Sequence, residues 1–461
     1  MKVLLVNPNS YCFRGTLCPP LAVMQVAALT REAGHEVKII DRNIQSFFKS
    51  KLVRFNPDVV GVSVFTGPLI KDALYVSRIV KKVYGGKVPV VWGGIHPTIL
   101  PEQVLENEYI DYIIQGEEFA FVEFLKEFGS NNQYDKIRGL GYKNNNGTVQ
   151  VNEKQELCKE LDTLPPIPWD MVKYMEYFRI EVVLVTSRGC PFNCKFCYNK
   201  KVHDRKWRAM SAERVLEEIH RIEKLTKTRI LKFHDDNFAV NEKRLQKILD
   251  GLSSDYTLYL EMRTNRISRE ILETLKRFKR VWFFFGIESG SQRLLDHMSK
   301  GVNLKDHINA MKLIDEYDNF CVSGNAIVGL PGETPQEFEE TVNFVNGLKM
   351  TWPNISLFCP YPGSEYYEEV VRLGKIKFPQ KLEQWAEWSF FFSSQIQNWF
   401  EWDFINIKGA DYLKKLNKKH FWQAFSRMIK KGEFSKMSRR FRDYRPFLTS
   451  LLNRLEKLMY P

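Results

Sequence analysis

Cys190, Cys194 and Cys197 are the residues of this chain whose type and spacing point most directly to chemistry. They stand in the run Ser187-Arg188-Gly189-Cys190-Pro191-Phe192-Asn193-Cys194-Lys195-Phe196-Cys197-Tyr198-Asn199, spaced C-x3-C-x2-C. The other five cysteines, Cys12, Cys18, Cys158, Cys321 and Cys359, are scattered, which is not a disulfide framework. In a reducing compartment such a cluster is a metal site. Zinc asks for four tetrahedral ligands, and no fourth Cys or paired His lies close by. Three thiolates instead suit a [4Fe–4S] cluster and leave one iron without a protein ligand, open to a small molecule.

The elements that must position this loop read as repeated strand-then-helix units. The β-branched stretch 181–185 runs directly into the cysteine motif. Strands follow at 230–235, 257–262, 281–287, 325–329 and 355–360, with helices between them. The helix at 212–225 places Val215, Ile219 and Ile222 on one face. Six such units predict a partial (β/α)6 TIM barrel whose strand ends line the site. Those ends carry His234-Asp235-Asp236-Asn237, Arg263, Gly286-Ile287-Glu288-Ser289-Gly290-Ser291-Gln292-Arg293, Gly329-Leu330-Pro331-Gly332-Glu333-Thr334 and Pro360-Tyr361-Pro362-Gly363-Ser364.

An earlier α/β unit precedes the barrel. Strands are predicted at 3–6, 37–41, 59–65, 88–92 and 109–115, with a helix at 21–33 that stops at Gly34. The third and fourth are nearly continuously apolar, as parallel strands covered on both faces are. This is a doubly wound, Rossmann-like sheet, which binds ligands at the carboxyl ends of its strands. Those ends read Asn7-Pro8-Asn9-Ser10, Ser63-Val64-Phe65-Thr66-Gly67, Gly93-Gly94-Ile95-His96-Pro97-Thr98 and Gln115-Gly116-Glu117-Glu118. Glycines allow close approach to a ligand and hydroxyls supply hydrogen bonds, although glycine turns end strands in any α/β protein. No GxGxxG follows the first strand, which argues against a dinucleotide.

Composition sets the frame. The 461 residues are 44% hydrophobic, 13% aromatic and 27% charged, a folded rather than disordered balance. No apolar run approaches the ~18 residues that span a bilayer, and the first residues do not read as a signal peptide, so a cytoplasmic address is expected. The net charge of +13 is uneven: from Glu401 onward 15 Lys/Arg face 6 Asp/Glu, leaving +4 for the first 400 residues. A general nucleic-acid surface is not indicated. Four divisions are expected: 1–142, a linker over 143–178, the barrel over 179–384, and a mainly helical aromatic and basic region over 385–461. The linker holds Leu164-Pro165-Pro166-Ile167-Pro168, an extended connector by its prolines. Residues 385–404 contain four Trp and five Phe, readable as core packing, a barrel lid or a greasy substrate wall. Residues 413–429 form a basic amphipathic helix, either docked on the barrel or lying peripherally on the inner face of a membrane.

The cysteine spacing just after a strand, with aromatic Phe196 before the third cysteine, resembles the signature of the radical SAM superfamily. The resemblance implies that the open iron chelates the methionyl amine and carboxylate of S-adenosylmethionine. One electron, from a donor such as flavodoxin or ferredoxin, then yields methionine and a 5′-deoxyadenosyl radical. It places Phe196, Arg263, Gly286, Glu288, Ser289 and Asn325 at S-adenosylmethionine. Glu288 complements an ammonium group, or is an acid at a helix N-terminus. Arg263 meets the cofactor carboxylate, or makes an interstrand salt bridge. Asp236 and Asn237 touch substrate or cofactor, or cap a helix.

The first unit resembles the cobalamin-binding domain of cobalamin-dependent radical SAM enzymes. That resemblance places Asn7, Ser63, Thr66, Gly93, Gly94, His96 and Gly116 near the corrin, with the nucleotide tail running into the sheet. The Asp-x-His-x-x-Gly motif that supplies an axial histidine elsewhere is absent, and His96 reads equally as a locally hydrogen-bonded loop residue. The implied reaction is methylation of an unactivated carbon in a small-molecule or lipid-like substrate, the methyl group coming from methylcobalamin. Other readings stay open. One is a radical SAM cyclase or rearrangement enzyme, with or without cobalamin. A methylthiotransferase would need three further cluster cysteines, which Cys12 and Cys18 do not supply. The last is a non-catalytic cobalamin or redox sensor.

Overall fold

The computed structural model describes residues 1–10, 17–130, 133–179, 181–388, 415–416 and 418–420. Its first sheet contains β1 (Lys2–Asn7), β2 (Glu36–Asp41), β3 (Val59–Ser63), β4 (Val90–Gly93), β5 (Tyr112–Ile114), β6 (Leu140–Lys143) and β7 (Val149–Val151). Their order is β2-β1-β3-β4-β5-β6-β7; the first five are parallel and the last two antiparallel. Alternate residues of the apolar strands serve opposite faces. Val3, Leu5, Val59 and Val91 pack with Val23, Met24 and Phe124, while Leu4, Val6, Val60 and Val62 pack with Leu52, Leu74 and Val80. The chain moves from β1 to β2 on one side and then to β3 on the other. Sheets of this order bind ligands outside the strand ends at that reversal.

The antiparallel hairpin β6–β7 carries the first sheet to Val151, beyond residue 142. The proline-rich connector is not a free extended tether. It folds into short 3-10 turns at Leu161–Thr163 and Trp169–Met171 and packs on both neighbours. The Trp169 indole donates to Glu218 at 2.9 Å, and the Tyr177 hydroxyl donates to Asp41 at 2.6 Å.

The barrel begins with β8 (Val182–Leu184), followed by a two-stranded ribbon of β9 (Ser187–Arg188) and β10 (Arg208–Ala209). Then come β11 (Ile230–Phe233), β12 (Thr257–Met262), β13 (Arg280–Glu288), β14 (Phe320–Val328) and β15 (Trp352–Leu357). The sheet is all parallel in the order β15-β14-β13-β12-β11-β8, a half-barrel of six strands. In β13, Val281, Phe283, Phe285 and Ile287 are buried, and each large side chain contributes roughly 1.5–3 kcal/mol. β14 starts five residues before the expected 325. Its first half, Phe320-Cys321-Val322-Ser323-Gly324, has a weak strand pattern because Gly324 sits where the Met350 thioether packs.

Of the aromatic stretch beginning at residue 385, Trp385 and Trp388 are described, and both are fully buried. The Trp385 indole donates to Gln103 of the first domain, and that of Trp388 to the Pro360 carbonyl at 2.8 Å. The rest of that stretch and nearly all of the basic helix at 413–429 lie outside the described residues. Among the described residues no helix is long and apolar enough to cross a membrane.

Candidate functional site

The cysteine loop is held from the end of β11. Asp235, fully enclosed, accepts from the Thr186 amide (2.6 Å), the Thr186 hydroxyl (2.7 Å) and the Ser187 hydroxyl (2.6 Å). Asp236 accepts from the Gly189 amide at 3.0 Å and from the Asn199 side chain at 2.8 Å, and Asn199 in turn accepts from the Cys190 amide at 3.2 Å. The segment has a further role that the sequence did not suggest: Asp236 fixes the loop backbone. Asn237 is buried and accepts from the Ala239 amide, while the following helix is capped by Asn241. Gly189 has φ +80° and lies against the Lys206 carbonyl, so a side chain there is excluded.

Cys190, Cys194 and Cys197 are half-buried free thiols on this one loop. Burial pushes the Cys190 thiol up and that of Cys197 up to about 12, so deprotonation awaits a cation. Among the described residues no three His, Cys, Asp or Glu side chains converge on a single metal ion. A cubane cluster does not require that, because each thiolate binds a different iron.

Around the loop stand the residues expected at S-adenosylmethionine. Glu288 ends β13 at φ 63°, just past a break in register with β14, and its carboxylate accepts from Lys300 Nζ at 2.6 Å. Both side chains are about nine-tenths buried. A side chain at Gly286 would displace the ends of the Glu288–Lys300 pair, which occupy the space beside it. Phe196 is half-buried, with its ring 5.8 Å from Lys300 Nζ. Asn325 is exposed on the concave side and accepts from Asn354 at 3.2 Å.

Two expectations change. Among the described residues Arg263 makes no interstrand salt bridge: it donates to the carbonyls of Lys300 and Gly301 and lies 3.7 Å over the Phe192 ring. Ser289 is fully buried and bonded to the Thr341 hydroxyl at 3.0 Å, on the helix side of the sheet.

The first sheet meets the barrel at a cavity of about 370 Å³. Its walls include Leu5, Val6, Gly61 and Ser63 from the first sheet, Val26 and Phe121 from helices packed on it, and Leu184, Thr186 and Arg188 from the barrel side. Of the residues expected at a corrin, Ser63, Gly93, Gly94 and Gly116 line it, as do the unexpected Thr98, Glu117 and Glu118. Gly94 has φ +98°, and a Cβ would lie 2.8 Å from the Val64 carbonyl oxygen. At Gly116 a Cβ would meet nothing within 4 Å.

Asn7, Thr66 and His96 do not line the cavity. Asn7 donates to Asp41 at 2.9 Å. Thr66 is bonded to His96 Nδ1 at 2.9 Å, while His96 Nε2 is buried with no partner among the described residues. Burial pushes the His96 imidazole down to about 3, so it stays neutral. The local-bond reading of His96 thus describes its geometry, and no described histidine fills the axial role from this loop.

Two family models match this division. The B12 binding domain model covers residues 14–125 and the radical SAM superfamily model covers residues 184–345. An uncharacterized methyltransferase of Pyrococcus horikoshii is 33% identical over 389 residues, which is 80% of this chain and 83% of the relative. The chain belongs to the radical SAM superfamily, among its members with a B12-binding domain. The cofactors of this radical SAM enzyme are those of that family: a [4Fe–4S] cluster, S-adenosylmethionine and cobalamin. A second relative, the cytidylyl-2-hydroxyethylphosphonate methyltransferase of Streptomyces wedmorensis, is 23% identical across 81% of this chain and 82% of its own. The radical S-adenosylmethionine methyltransferase TsrM of Kitasatospora setae shares the fold. Its TM-score is 0.70 at 19% identity, over 82% of this chain and 77% of that one.

The residues present fit these groups. The apolar cavity and the open side of Gly116 suit a bulky cofactor, and three thiols on one anchored loop suit a cluster with an open iron. Sequence reasoning missed Lys300, Thr98 and the acids Glu117 and Glu118. Thr98 carried a signal as a hydroxyl in a strand-end run, and Glu117 and Glu118 as adjacent acids directly after the strand-end Gly116; Lys300 carried none.

Proposed function

We propose that this protein transfers a methyl group to an unactivated carbon of a small-molecule substrate, using its three cofactors across the cavity between the two sheets. The supporting observation is a cavity lined by the first sheet's strand ends on one side and by Thr186 and Arg188, just before the cysteines, on the other, with Arg188 bonded to Glu117 and Glu118. The methyltransferase relatives support the reaction class. When bound, the cluster and S-adenosylmethionine supply a carbon-centred radical and cobalamin supplies the methyl group.

The chain's own residues bind and orient. Cys190, Cys194 and Cys197 hold the cluster, Glu288 receives the ammonium of S-adenosylmethionine, and Gly286 leaves room beside it. Asn325, with Asn354, presents amides on the concave face, and Phe196 shields the cluster side. Ser63, Gly93, Gly94 and Gly116 border the corrin, and the apolar walls around Val26 and Phe121 exclude water from its nucleotide tail. An electron donor of the flavodoxin or ferredoxin kind is required, and the basic C-terminal region is proposed as a peripheral membrane contact.

The test needs no substrate. Reduced protein loaded with all three cofactors should form 5′-deoxyadenosine and, separately, S-adenosylhomocysteine, the latter only with cobalamin present. Deoxyadenosine alone would leave a radical enzyme without methyl transfer, and neither product would refute the reading.

A further inference from the structure

The helix Phe48–Phe55 follows β2, the edge strand of the first sheet. Its inner face buries Phe48, Leu52 and Phe55. Its outer face carries Lys49, Ser50, Val53 and Arg54, which with Phe47 line a shallow groove. Phe47 is 83% exposed and Val53 53% exposed, although burial would stabilise either side chain. Phe47 also holds φ 59° and ψ 48°, a left-handed conformation that is costly for an aromatic residue. Neither feature adds to the packing of the fold, and a bulky side chain kept in strained backbone at an exposed tip marks a functional surface.

The cations around this helix are not neutralised. Lys51 is flanked by Lys38 of β2 and Lys173 of the connector, and burial together with these two like charges pulls its ammonium down from the usual lysine value. Among the described residues none of Lys38, Lys49, Lys51, Arg54 and Lys173 is in an ion pair; Lys51 donates to the neutral Gln45 at 3.1 Å. We propose that this surface docks the protein on an anionic lipid bilayer, with Phe47 and Val53 entering the headgroup boundary and Lys49 and Arg54 meeting the lipid phosphates. Each cation near such a surface adds to the attraction, and an aromatic ring between cations gains there the apolar phase it lacks in water. A nucleic acid would neutralise the lysines but offer Phe47 nothing to bury in. A protein electron donor has to reach the cysteine loop, which Arg188 ties to Glu118 just after β5. Four strand spacings, roughly 19 Å, separate β5 from β2. The surface is distinct from the basic C-terminal region and does not depend on the methyl-transfer reading.

The experiment mixes the full-length protein with sucrose-loaded vesicles of phosphatidylcholine, with and without phosphatidylglycerol, and reads the fraction pelleted against lipid concentration. Wild type should pellet only with the anionic lipid, and less as salt rises. Phe47→Asn removes the ring while suiting the left-handed backbone. It should weaken partitioning roughly ten-fold at an unchanged or raised melting temperature. Lys49→Glu/Arg54→Glu should weaken partitioning at least as far. Wild-type pelleting of both variants would place the lipid contact elsewhere in the chain and overturn the proposal, as would wild type that pellets with neither vesicle. Loss on charge reversal without loss in Phe47→Asn would show a general attraction for polyanions and overturns the lipid surface. A lowered melting temperature in Phe47→Asn would make Phe47 a structural residue and overturns its insertion.

Discussion

Arg188 grips Glu118 with a two-pronged hydrogen bond, Nη2 to Oε1 at 2.7 Å and Nη1 to Oε2 at 3.0 Å. Arg188 lies two residues before Cys190 and Glu118 two residues after Gly116, so the pair ties the cysteine loop to a strand end of the first sheet. Glu117 joins it, accepting from Arg188 at 3.0 Å and from Arg208 at 2.8 Å. Both acids are less than a tenth exposed.

Removing the arginine strands the buried Glu118 carboxylate and leaves Glu117 with Arg208 as its remaining cation. Arg188→Met should cost about 3 kcal/mol in denaturant unfolding, the range for breaking a buried pair on one side. Arg188→Lys, which keeps the charge but loses the fork, should recover part of that. Equal stability of Arg188→Met and wild type would show that the pair is not a clamp.

Gly93 and Gly94 are adjacent and should respond in opposite ways. At Gly93 a Cβ meets only Ile114 at 3.9 Å, ordinary contact, while the position borders the cavity. Gly93→Leu should therefore change stability little and weaken cobalamin retention at least about ten-fold, because the added side chain fills ligand space. Gly94→Ala places a methyl group 2.8 Å from the Val64 carbonyl at positive φ, and should destabilise the fold by about 1–3 kcal/mol. Thermal melts and cobalamin content after gel filtration separate the two effects.

How far the site could be read in advance follows from how local each signal is. The cysteine triad and the Gly94 turn are local: a spacing and a glycine doublet carry them. The carboxylates that hold the triad are not, since Asp236 meets Gly189 across 47 positions and Glu118 meets Arg188 across 70. Lys300 reads as an ordinary surface lysine until the backbone folds it onto Glu288. The parallel strands were legible wherever apolar residues ran together, as in β3 and β13. They were lost where packing demanded glycine, as at Gly324 in β14.

His96 should make the protein sensitive to acid. Its folded value, near 3, lies below the ordinary 6.5 because burial disfavours the charged ring. The unfolded chain takes up the proton first as pH falls. The stabilising contribution is complete above pH 6.5 and is lost on acidification towards about 3, at up to about 1.4 kcal/mol per pH unit. The unfolding free energy of His96→Gln should fall less steeply than wild type over that window. Parallel pH dependence in the two proteins would contradict this account.

Asp236 should govern cluster retention rather than catalysis. Asp236→Ala frees the Gly189 amide and the Asn199 side chain that fixes Cys190. Iron content after anaerobic reconstitution and desalting should drop well below wild type, while retained cobalamin, bound on the far side of the cavity, stays near one per chain. Full iron loading of the variant would contradict the anchoring role.

The central claim is that the two sheets bring a cluster and a corrin to one cavity, and one spectrum tests it most directly. Protein with a reconstituted cluster is mixed anaerobically with hydroxocobalamin, desalted, and its absorption recorded with bound cobalamin counted per chain. We predict close to one equivalent with the spectrum of cobalamin lacking a lower nitrogen ligand, since His96 is buried away from the cavity and His203, which lines it, is bonded through Nδ1 to Arg208. An intact cluster beside no retained cobalamin would contradict the claim.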